Sequence, residues 1–87
     1  MRSKFAGFSF ERHQMTGQRI YHAREFFIRL QVDLAKSYGE TAKPVRLAEN
    51  IVETIDRLRN SLDEVVCIEN PEREDWELNR CYFSVVE

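Results

Sequence analysis

The chain has 87 residues, 43% hydrophobic, 11% aromatic and 32% charged, which suits one globular domain over 1–87 and leaves too little material for a second core. No apolar run approaches the roughly 18 to 20 residues that span a bilayer, and two cysteines are too few for a disulfide-dense secreted scaffold. The net charge of -2 conceals an uneven distribution: residues 1–36 carry seven basic and three acidic side chains, the remainder six and twelve.

In chain order, Ala6-Gly7-Phe8-Ser9-Phe10 alternates in a strand-like way. From about Gln18 to Ser37, Ile20, Ala23, Phe27, Leu30 and Leu34 recur at steps of three and four, which predicts a helix beginning at Thr16 or Gly17 and stopped by Gly39. Thr41 offers a cap and Pro44 suits a first turn, after which Ala48, Ile51, Ile55, Leu58, Leu62 and Val65 repeat the spacing to an end near Cys67. The short link makes these two helices an antiparallel hairpin. Asn70-Pro71 reads as the cap and first position of a short third helix, with Glu72, Glu74 and Asp75 at its positive end. The β-branched and aromatic run Cys81 to Val86 reads as a second strand. The fold class is therefore mostly α (α+β). Either the terminal strands pair over the hairpin, or the third helix runs on to make a three-helix bundle.

Chemical constellations are sparse. His13 and His22 lie far from Cys67 and Cys81, no Cys-x-x-Cys occurs, and no two glycines stand close enough for a phosphate-binding loop. Glu49, Glu53 and Asp56 share one ridge of the second helix and read as a solvated face, with a magnesium site as the alternative. Both histidines read as surface or strand-end residues, and the cysteines as small reduced hydrophobes. Val52-Glu53-Thr54-Ile55-Asp56-Arg57-Leu58 resembles the first helix of small helical chorismate mutases. Leu62-Asp63-Glu64 with Cys67-Ile68-Glu69-Asn70-Pro71 is similar to the C-terminal cysteine loop of redox-regulated linker proteins of photosynthetic carbon fixation. Thirteen residues separate Cys67 from Cys81, a longer spacing than that loop has, and neither family's function is carried over.

Two surfaces stand out. The apolar arc of the first helix covers about 240° of the wheel at about 100° per residue, whereas the second helix shows a stripe of about 100°. The uncovered part predicts a dimer or partner interface at Tyr21, Arg24, Ile28, Gln31 and Val32, with Arg24 and Gln31 hydrogen-bonded across whatever covers them. The second surface is acidic, centred on Glu72, Glu74, Asp75 and Glu77 and expected to face solvent. Trp76 within it reads as a core anchor, the alternative being an exposed contact residue.

The expectation from these features is a non-catalytic protein-binding or regulatory module, of the size and character of small bacterial or phage regulators and inhibitors. It is expected in the cytoplasm, without cofactor or metal, with a protein partner or a second copy as its target and no membrane contact. The alternative is a nucleic-acid-binding protein that uses the basic N-terminal third, where Arg2, Lys4, Arg12, Arg19, Arg24 and Arg29 accompany Phe5, Phe8 and Phe10.

Overall fold

Ser9 sets the start of the first helix. Its hydroxyl accepts a hydrogen bond from the Arg12 amide at 3.1 Å, satisfying one of the amides that an N-terminal turn leaves open. The computed structural model describes residues 5–83, and α1 runs unbroken from Phe10 to Tyr38. It begins well before the position predicted from Thr16 and Gly17, so Phe10 is helical and Gly17 lies inside the helix. Gly39, at φ +97°, ends α1 as expected. Four residues later α2 (Lys43–Glu69) begins, with Pro44 in its first turn and no side-chain cap from Thr41 or Ala42.

Asn70 closes α2 and does not open the next helix. Its amide and its side-chain Nδ2 both donate to the Val66 carbonyl, at 3.1 and 3.0 Å. The third helix, α3 (Asp75–Tyr82), starts five residues on, behind a capping box in which Glu74 and Glu77 each accept the other's backbone amide. Cys81 and Tyr82 are therefore helical, which removes the beginning of the predicted C-terminal strand; Ser84 to Val86 lie outside the described residues. Among the described residues there is no strand, and the architecture is an antiparallel hairpin with a short third helix. None of these helices is long and apolar enough to cross a membrane.

The two ends of the hairpin differ. α3 packs on the N-terminal part of α1 and the C-terminal part of α2, where Val66, Leu78, Cys81 and Tyr82 form the core with Phe10, Ile20 and Leu62 against them. Towards the 39–42 loop only α1 and α2 are present, and the buried apolar residues are Val45 and Ala48. The Cα atoms extend 49 × 29 × 16 Å, a slab one helix thick over much of its length.

Candidate functional site

At the three-helix end a polar clasp joins all three elements. His13, 1% exposed, lies with Nδ1 2.6 Å from the Tyr82 hydroxyl and Nε2 2.7 Å from Glu69 Oε1. A carboxylate only accepts, so Nε2 carries the proton directed at Glu69, and in that tautomer Nδ1 accepts from the Tyr82 hydroxyl. Burial, reinforced by Cys81, Glu69 and Asp63, pushes the Tyr82 hydroxyl up to about 12 and keeps it a donor. The order carboxylate, imidazole, hydroxyl is that of a proton relay, but Tyr82 is 1% exposed and offers a substrate no access. What this triad does is tie α3 to the hairpin. Gly17 allows the approach, because a Cβ there would collide with the Cys81 carbonyl. Phe8 and Phe10 belong to the same end: Arg12 lies 4.6 Å over the Phe8 ring and Arg73 3.8 Å over Phe10. Neither histidine-to-cysteine chemistry nor a surface position was realised for His13, whose partners are a glutamate and a tyrosine.

The predicted interface residues divide between two places. Arg24 Nε donates to Asp56 Oδ1 at 2.8 Å within the hairpin, and this hydrogen bond raises the already high guanidinium pKa further. Arg59 reaches the same oxygen at 3.2 Å and lies 4.7 Å over the Phe83 ring. Asp56 is thereby occupied, while Glu49 and Glu53 line a shallow groove with Gln31, Arg46 and Asn50. Tyr21 and Ile28 are half-buried and Val32 is 47% exposed on the neighbouring flank of α1. Among the described residues no three His, Cys, Asp or Glu side chains gather as a metal site would require.

The acidic stretch faces solvent at Glu72, Glu74 and Asp75, with Glu77 half-buried by the capping box and by Arg73, 3.3 Å away. Trp76 is 61% exposed, which corrects its reading as a core anchor. The inward face of α3 consists of Leu78, Cys81 and Tyr82, spaced three and four apart, and Trp76 falls outside that spacing. Together with Asp63, Cys67, Asp75, Leu78 and Asn79, Trp76 lines a groove of about 440 Å³ between α2 and α3. Burial, helped by Glu64, raises the Asp63 carboxyl, and burial with Asp63 and Asp75 raises the Cys67 thiol. Both cysteines are free thiols, Cys67 exposed and Cys81 buried. Comparison with protein-family models, with curated proteins and with solved structures finds no match for this chain.

Proposed function

We propose that this protein is a non-catalytic protein-binding or regulatory module whose α3 side captures a basic partner. The observation that carries this reading is Trp76, an exposed indole with Arg80 6.0 Å over its ring, following Glu72, Glu74 and Asp75 and beside a groove bearing Asp63 and Asp75. Exposed tryptophan loses contact with water most favourably when a partner covers it, and its face attracts Lys and Arg side chains. The surrounding carboxylates would speed the approach of such a partner more than they tighten the final complex. At about 100° per residue Tyr21, Ile28 and Val32 follow Gly17, which meets α3, along one flank of α1 and would give the contact an apolar margin.

Trp76 is the sole tryptophan, so its fluorescence reports this site directly. Titration with a Lys/Arg-rich peptide at low salt is expected to change the Trp76 emission, and about 0.5 M salt should abolish the change through screening. Glu72→Lys, which leaves the capping box of Glu74 and Glu77 intact, should weaken the response severalfold. An emission unchanged by the peptide, or changed equally in Glu72→Lys, contradicts a basic partner at this surface.

A further inference from the structure

Helix α2 carries two apolar lines. The inner line, Val45, Ala48, Val52, Ile55, Leu62 and Val66, is buried or half-buried and follows alternating steps of three and four with Arg59 in register. The outer line, Leu47, Ile51, Thr54, Leu58, Ser61, Val65 and Ile68, has the same alternation and is exposed throughout, with the Thr54 hydroxyl donating to the Asn50 carbonyl of its own helix. Its apolar members are 51%, 39%, 50%, 36% and 78% exposed in chain order. At 100° per residue the outer line lies about 110° around the helix from the inner one.

The side on which it lies follows from contacts already described. Gly17 meets Cys81, and Asp63 and Cys67 share a groove with Trp76, so α3 covers the flank of the hairpin that also holds the Arg24 and Asp56 pair. On the wheel, Leu47, Ile51, Leu58 and Val65 flank the α2 seam on the opposite side, and Phe26, 59% exposed, and Leu30 do the same on α1. Among the described residues one broad face of the slab thus presents an apolar strip from Leu47 to Val65, with Gly7 of the N-terminal segment against Glu69 at its clasped end. Stable domains set two layers around a core, and here α3 supplies a second layer only on the other face and only at one end.

We infer that this face packs on a second copy of the chain about a two-fold axis, making an antiparallel α2–α2 pair at the centre of a four-helix bundle. The sequence of the outer line is suited to that symmetry. With the axis at the level of Asp56, Leu47 falls opposite Val65 of the second copy, Ile51 opposite Ser61 and Thr54 opposite Leu58. Each hydroxyl residue then meets a branched aliphatic one, the alternation of large and small that lets layers interdigitate. The strip from Leu47 to Ile68 runs about 30 Å along this face, at about 1.5 Å of rise per residue, within a molecule 49 Å long. The dimer leaves Trp76 and the acidic α3 side outward, so it is independent of the basic-partner reading and adds a second copy of that surface to each particle.

Sedimentation equilibrium on the full chain tests the association, and spin labels test its geometry. The wild type is expected to be dimeric at tens of micromolar, and Leu58→Glu to be monomeric with unchanged helical circular dichroism. Ile28→Glu, on the other side of the hairpin, should remain dimeric. If Leu58→Glu loses helicity, Thr54→Arg on the same line decides in its place. Paired labels at Arg57 should lie close together, whereas labels at Arg46 should be separated by about 30 Å along the axis, from 1.5 Å of rise per residue. A wild type that is monomeric at several hundred micromolar, dimerisation that survives both outer-line substitutions, or a label distance at Arg57 as long as that at Arg46 overturns the inference.

Discussion

The clasped end and the loop end of the hairpin are built from the same two helices and stabilised in different ways. At the clasped end Val66, Cys81, Tyr82 and His13 are each at most 1% exposed, and one imidazole links three helices through hydrogen bonds to Tyr82 and Glu69. At the loop end, Leu47 and Ile51 remain 51% and 39% exposed, and burial stops at Val45 and Ala48. The contrast assigns internal packing to the clasped end, and on the dimer proposed above the loop end and the outer line of α2 are packed by a second copy.

The largest effect should come from the point of closest approach. Gly17→Val places a branched side chain where the Cys81 carbonyl sits and cannot be absorbed by a flexible neighbour. It is expected to undock α3 and cost about 3 kcal/mol or more, on the scale of severe overpacking. That corresponds to more than about 12 °C in Tm for a domain of this size. Chemical denaturation with Trp76 and far-ultraviolet readouts checks it, and a melting curve like that of wild type would remove Gly17 from the account.

Next in size is the clasp. Tyr82→Phe leaves Nδ1 of His13 without its donor and should cost about 1 to 3 kcal/mol. It should also alter the alkaline limb of the stability profile. The unfolded chain releases the Tyr82 proton near 10, while the folded chain holds it to about 12. The unfolded state therefore binds fewer protons across that window, and wild-type stability falls as pH rises through it, by at most about 3 kcal/mol. Denaturation midpoints of wild type and Tyr82→Phe should converge between pH 10 and 12. Parallel curves would mean that the hydroxyl is not held protonated by the fold.

Thiol labelling gives a kinetic version of the same contrast. Cys67 is exposed and Cys81 buried, so a thiol reagent should modify one cysteine readily and the other only when α3 opens. Labelling of Cys81 should accelerate in Tyr82→Phe, and equal rates at both cysteines in the wild type would contradict a closed clasp. The smallest effect belongs to the middle of the hairpin. Arg24 and Asp56 are each about one-third exposed, so Asp56→Ala should cost on the order of 1 kcal/mol or less, measured by urea unfolding, and weaken with added salt.

The hairpin was legible because its signals are local: steps of three and four in the apolar residues, a glycine that ends α1 and a proline in the first turn of α2. The start of α1 was missed although Ser9, followed by Phe10 and Glu11, is an N-cap followed by an acidic first turn. The alternation of Phe8 and Phe10 and the presence of Gly17 outweighed it, and the reason for that glycine lies in α3, 64 residues away in sequence. His13 was unreadable for the same reason, since its partners are 56 and 69 residues distant. Asn70-Pro71 resembled a helix start because both residues favour that position, yet the cap was supplied by the Glu74 and Glu77 pair. The six apolar positions assigned to one stripe of α2 merged two lines. Ala48, Ile55 and Leu62 face inward, while Ile51, Leu58 and Val65 are exposed, a division set by which flank α3 and α1 occupy.

Residue-resolved amide hydrogen exchange as a function of protein concentration tests the two-ended account most directly. Amides of 62–69 and 78–82 are expected to be protected at every concentration, because the clasp is internal, and those of 45–58 to gain protection as concentration rises through the range of the proposed dimer. Protection that is uniform along α2 and independent of concentration would contradict it.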